Sequence, residues 1–281
     1  MRAPNPTGGY TGQSAINQDA ADGGYWHQRA LIEALSSWRS SELGARLALA
    51  LFGAAALGAR AIGAEPMDDP SCKPDLVAWL QPAEGARVSA RVSAKLARLD
   101  STSDSSRPMH HAGRARFEEA HLHGILPEND LEARAALLGH FVDGEPLARQ
   151  EPASRDRAML FLRAGWPLVA ASAIRGIHDP RATHLVISTA RALPDGSLQL
   201  AETRATPVEA AIAALLADPP ELTDPREGQV GTLGSRMMHI QRGQALSLGE
   251  QRDVQIKVNA GALFALCPEL PPHPRAVSRP R

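Results

Sequence analysis

Apolar positions along this chain recur with two different periods. From Tyr25 to Trp38 they recur with the period of a helix. Leu76–Leu80 reads as a short helix. Over Gly85–Leu99, Val88, Val92, Leu96 and Leu99 stand at helical spacing, and Arg87, Arg91, Lys95 and Arg98 stand one residue earlier. That pattern predicts an amphipathic helix with a basic stripe about 100° from its apolar one. Helical signals then dominate from Ala112 to about Gly165. The first segment is Gly113–His123, stopped by Gly124 and Pro127. The second is Asp130–Val142, with Asn129 and Glu132 spaced as a capping box and Gly144 as a stop. A third starts near Ser154 and ends at Gly165, where Trp166-Pro167 breaks it; Leu168–Ile174 fits either a buried helix or a strand.

Beyond residue 180 the period changes. Thr183–Thr189 is rich in β-branched residues, Asp195-Gly196 is a turn dipeptide, and Ser197–Thr203 alternates behind it, which predicts a β-hairpin. Thr206-Pro207-Val208-Glu209 reads as a helix start, with a helix to about Ala217. Three short strands are expected at Arg236–Gln241, Ala245–Leu248 and Asp253–Val258, followed by a last apolar segment at Ala262–Cys267. Helices first and strands later predict an α+β fold, a helical N-terminal part followed by a mixed, mostly antiparallel β-containing part. The expected organisation is a disordered or partly helical segment over 1–42 and an apolar segment over 43–64. An amphipathic helix and Ser-rich linker would fill 65–109, an α+β domain 110–267 and a disordered tail 268–281.

The apolar segment bears on compartment. Leu47–Ala59 is an uncharged run between Arg46 and Arg60, and Ile62-Gly63-Ala64 offers small residues before Glu65-Pro66. Its length suits a signal-peptide core better than a membrane span, although an unusually long segment precedes it. It predicts export to the periplasm or a single inner-membrane anchor. The alternative is a buried helix of a cytoplasmic protein. In an oxidising compartment Cys72 and Cys267 would be able to form one disulfide closing the domain.

Composition narrows the functions. The 281 residues are 43% hydrophobic and only 4% aromatic, with a net charge of −1, so there is no overall basic character and no strong nucleic-acid signal. Arginine supplies nearly all the positive charge, since Lys73, Lys95 and Lys257 are the only lysines; this reads as the codon bias of a GC-rich bacterial genome. Nucleotide-binding loops and nucleophile elbows are absent, and no cofactor is identified.

The histidines form one constellation. His110, His111, His121 and His123 flank Glu118 and Glu119. On a helix, Glu118 with His121 and Glu119 with His123 would each share a face and be able to hold a divalent metal. His178-Asp179 is a second His/Asp pair, with His184 nearby, but Pro180 breaks the helix such a site would use. Three functions follow. The first is a bacterial envelope protein with a binding or assembly role and a protein partner. The second is a metal-dependent enzyme, of hydrolase type, using the His/Glu cluster at 110–123. The third is a cytoplasmic adaptor docking an acidic partner on Arg87, Arg91, Lys95 and Arg98.

Overall fold

The computed structural model describes residues 25–67, 74–98, 106–112, 124–143, 145–176, 179–194, 198–222, 233–242 and 254–273. Helix α1 occupies residues 25–36, as its periodicity predicts. Helix α2, Glu42–Phe52, starts at Ser41, whose side chain accepts a hydrogen bond from the Gly44 amide. A Cβ on Gly44 would lie 1.8 Å from the Ala34 carbonyl oxygen, so this glycine is what lets α1 and α2 touch backbone to backbone.

The apolar run at 47–59 is therefore a helix with a 3-10 extension, Gly53–Gly58. Leu47, Ala48, Leu51, Ala56 and Ala59 are buried with Leu31 and Leu35 against one face of a sheet. Among the described residues no helix is long and apolar enough to cross a membrane. The features that suggested a signal core, Leu and Ala without charge, are equally those of a helix buried on a sheet.

That sheet, A, has the order β1-β2-β3-β5-β6. Its strands are β1 Ala61–Pro66, β2 Leu76–Gln81, β3 Val88–Arg98, β5 His184–Ala192 and β6 Leu198–Pro207. Strands β1, β2 and β3 pair antiparallel, β3 and β5 pair parallel, and β5 and β6 form the antiparallel hairpin expected from the sequence. The helices expected at 76–80 and 85–99 are thus strands. A spacing of four residues satisfies a helix, and it also satisfies a strand, because four is twice the strand period of two. Val88, Val92 and Leu96 also alternate with Ser89, Arg91, Ser93 and Lys95, and β-branched and Ser residues at that density favour the extended form.

Sheet B, entirely antiparallel, has the order β4-β10-β9-β8-β7. Its strands are β4 Ser106–Ala112, β7 Glu221–Leu222, β8 Leu233–Gly234, β9 Met238–Arg242 and β10 Val254–Asn259. Four more helices complete the described fold: α3 Leu131–Leu138, α4 Pro152–Ile174, α5 Val208–Leu216 and α6 Ala260–Leu266. Strands β9 and β10 and helix α5 fall near their expected places. The expected strand at 245–248 and the Gly113–His123 helix lie outside the described residues. The last apolar segment is a helix, α6, capped by the Asn259 side chain. The cap of α3 is Asp130, one residue past the expected Asn129, and the helix continues as a π-turn, Gly139–Asp143.

Helix α4 runs through Pro167, where a break was expected. An interior proline costs about 3 kcal/mol. Leu162, Trp166, Val169 and Ala170 around it are all buried, and full burial of a large apolar side chain contributes roughly 1.5–3 kcal/mol each. Tertiary packing therefore outweighs the local penalty. These residues build a second core with Leu185 and Ile187 of β5, Ile212 and Leu215 of α5, and Ile240, Ile256 and Val258 of sheet B. An α+β architecture results, with one core on each face of sheet A.

Candidate functional site

Strand alternation sorts the side chains of sheet A. Leu76, Ala78 and Leu80 of β2 and Ala90 and Val92 of β3 point into the core under α1 and α2. Val77 and Trp79, with Ser89, Arg91, Ser93 and Lys95, point to the other face. On β5, that second face is covered by the α4 core through Leu185 and Ile187, which stand beside Ser93 and Lys95 in the parallel ladder. On β2 and β3 it opens. Ser93 is buried, Arg91 and Lys95 are half-buried, and Ser89 and Arg87 are exposed.

Asp75 lies at this seam, one residue before β2. Its amide donates to the Val92 carbonyl at 2.8 Å, and its carbonyl accepts from the Met67 amide at 3.0 Å and from Gln28 Nε2 of α1. The backbone is thus tied to β3, to the chain leaving β1, and to α1. Its carboxylate Oδ2 accepts from the Ala94 amide at 2.6 Å and from Lys95 Nζ at 3.2 Å. The Asp75 side chain is 37% exposed and that of Lys95 20%. Two residues before Lys95, and on its face, Ser93 Oγ is buried without a hydrogen-bond partner among the described residues.

Behind the sheet His27 of α1 is fully buried. Its Nε2 lies 2.7 Å from Ser188 Oγ, which lies 2.9 Å from Thr203 Oγ1. Burial pushes its pKa down from 6.5 to about 4; Asp75 works against this shift and Lys95 adds to it. The unfolded chain therefore binds a proton at His27 more tightly than the native one. The resulting stability is complete above about pH 6.5 and is lost as the pH falls toward 4. We expect a loss of about 2–3 kcal/mol between pH 7 and 4.5 from this residue. Urea unfolding at both pH values should show a smaller acid loss in His27→Gln than in the parent. Equal losses would show that His27 is not the source.

Three of the four residues of the expected basic stripe share one face, two of them on strand β3 and the first just before it, stacked on Trp79. These are Arg87, Arg91 and Lys95. Arg98 ends β3, and its side chain lies outside the described residues. The expected metal ligands Glu118, Glu119, His121 and His123 also lie outside the described residues, as do Cys72 and His178. His110 and His111 fall on β4, paired with Ile256 and Gln255. Among the described residues no three His, Cys, Asp or Glu side chains gather as a metal site. Cys267 is a free, buried thiol; burial pushes its pKa up to about 11, against the pull of Arg204, which makes it a poor nucleophile.

A cleft between α2, β6 and the chain after α6 is lined by Glu42, Arg46, Glu202, Arg204 and Glu269. Its arginines are engaged. Arg46 donates to the Leu270 and Pro271 carbonyls, and Arg204 to those of Phe264 and Cys267. They tie down the chain from Phe264 to Pro271, which runs into the segment from 268 where a disordered tail was expected, and Leu270 and His273 are buried.

Sequence reading missed Asp75, His27 and Ser93. The available signal was Pro74-Asp75 directly before an apolar stretch. It becomes meaningful only when 76–81 and 88–98 are read as neighbouring strands.

No known protein family matches the chain, and no curated protein matches it. Among solved structures, the chain is similar to restriction endonuclease MspI in complex with its cognate DNA. The TM-score is 0.49 and the identity 10%, over 80% of this chain and 83% of that one. Two expectations are corrected by the fold: an envelope protein with a binding or assembly role, and the lack of a strong nucleic-acid signal. The physical reasons lie in the fold. The apolar run that suggested the envelope is core, and the overall charge that argued against nucleic acid conceals a locally basic strand.

Proposed function

We propose that the protein is a divalent-metal-dependent hydrolase of nucleic-acid phosphodiester bonds. The Asp75–Lys95 pair carries this reading: a carboxylate and an ammonium held 3.2 Å apart where one face of a sheet opens. A magnesium-type ion is commonly held by one or two carboxylates, with water and substrate phosphate completing its shell. Asp75 fits that donor set, because its Oδ1 takes no hydrogen bond from a described residue. This reading shares the hydrolase class expected from the His/Glu cluster and takes Asp75 as the candidate ligand.

When bound, such an ion lowers the pKa of a water and neutralises phosphate charge. The chain supplies the rest. The ties on the Asp75 backbone and the Ala94 amide fix the carboxylate without a search over rotamers. Lys95 has three N–H donors, so it can keep one on Asp75 and offer another to a phosphoryl oxygen as charge develops there. Arg91, on the same face of β3, can hold a neighbouring phosphate.

The test is incubation of the purified chain with supercoiled plasmid, single-stranded DNA and RNA at millimolar Mg²⁺ or Mn²⁺. Cleavage that EDTA abolishes, and that Lys95→Met loses, is the expected result. No cleavage of any of the three substrates with either metal overturns the proposal.

A further inference from the structure

We propose that the open half of β3 is the track on which a nucleic-acid strand lies, with Arg87 and Arg91 as phosphate anchors leading away from Lys95. This rests on the phosphodiesterase reading and adds where the substrate runs. Arg91 and Lys95 are four residues apart on β3, so they stand about 13 Å from one another on one face, and Arg87, one residue before the strand and four before Arg91, lies over Trp79 on that same face. That step corresponds to about four nucleotides along one strand of a duplex.

The anchoring of Arg87 is the second observation. Its guanidinium carbon lies 3.9 Å above the centre of the Trp79 ring. The ring itself lies over Gly63 of β1: a Cβ at 63 would come within 2.6 Å of Trp79 Cζ2. Gly63 is therefore the floor that lets the indole lie flat, and the indole is the platform for Arg87. Stacking uses the face of a guanidinium and leaves its N–H edge unspent. No carboxylate among the described residues pairs with Arg87 or Arg91. By contrast Arg157, Arg175 and Arg204, on other elements, are all engaged by glutamate or aspartate. Two arginines without a described carboxylate, on the face that bears Lys95 and one of them held edge-outward, suit the phosphate backbone of a polyanion.

Binding is measured apart from cleavage, using the Asp75→Asn protein and fluorescein-labelled 24-nucleotide duplex and single-stranded DNA. Anisotropy titrations run from about 50 to 200 mM salt. Removing one phosphate-binding side chain reduces the slope of log K against log salt by about 1. Arg87→Gln and Arg91→Gln, added singly, should each lower the slope by about 1 and weaken binding several-fold, and together by about 2. Arg87→Lys keeps the charge but not the stacked fork, so it should recover part of the loss. Arg163→Gln, on an exposed part of α4, is the control and should change neither quantity. Equal slopes in the parent and both glutamine variants overturn the track, as does a parent that binds neither probe at the lowest salt. If the variants show the expected slopes while the native chain cleaves no nucleic acid, the track stands and the hydrolase reading falls. If the native chain cleaves and the slopes do not move, the reverse holds.

Discussion

On the phosphodiesterase reading, Asp75→Asn should lower metal-dependent hydrolysis by at least about 100-fold, equivalent to about 2.7 kcal/mol of transition-state stabilisation. Asparagine keeps a carbonyl oxygen for the Ala94 amide and leaves the three backbone ties of residue 75 intact. What it removes is the charge, which would hold the ion and position Lys95. Its melting temperature should therefore stay within a few degrees of the parent, because the ion pair is partly exposed and such pairs contribute little to stability. Half-saturation by Mn²⁺ should move to higher concentration, a change that a merely structural aspartate would not produce. A variant that cleaves at the parent rate with the parent's metal dependence would remove Asp75 from the site.

Phe141→Ala should be the most destabilising of the simple truncations, at about 3–5 kcal/mol. Phe141 is fully buried, and it meets the ring of His140 edge-on with centroids 4.9 Å apart. It belongs to the core formed with Leu137, Leu147 and Leu162. The π-turn at Gly139–Asp143 brings the consecutive residues 140 and 141 both inside, and the Leu147 amide donates to His140 Nδ1 at 3.2 Å. Collapse of the cavity would have to move that turn, so little of the loss is recovered. Against a total stability of about 5–15 kcal/mol, the change is a large fraction. For a chain of this size it should appear as a fall of roughly 6–20 °C in Tm. A fall under about 3 °C would show that Phe141 does not anchor this core.

Much of the fold was legible where one period dominated. Helix α1, the β5–β6 hairpin, β9, β10 and α5 all carried patterns with a single reading. Strand β3 did not, since its apolar and basic residues recur every four positions. Helix α4 was hidden by Pro167, whose local cost is exceeded by burial that only the folded chain supplies. The site was harder still. Asp75 and Lys95 are twenty positions apart, and no local spacing announces a carboxylate that meets a lysine across a strand pair. The His/Glu cluster was conspicuous because its residues are adjacent in sequence, whereas Asp75 and Lys95 become neighbours only through the β2–β3 register.

The two sheets are interleaved along the chain, and this shapes how the protein is made. Strand β4 follows β3 directly, yet among the described strands its partner is β10, near the end of the chain. A ribosome adding about 5–20 residues per second would release β4 and then need roughly 7–30 s before Val254–Asn259 emerges. For that interval Ser106–Ala112 waits for its partner strand, the kind of edge that recruits other nascent chains. Sheet A can assemble earlier, once Leu198–Pro207 is out. Yield on expression should therefore respond to how fast the last third of the chain is translated, more than to changes in the segment that carries Asp75 and Lys95.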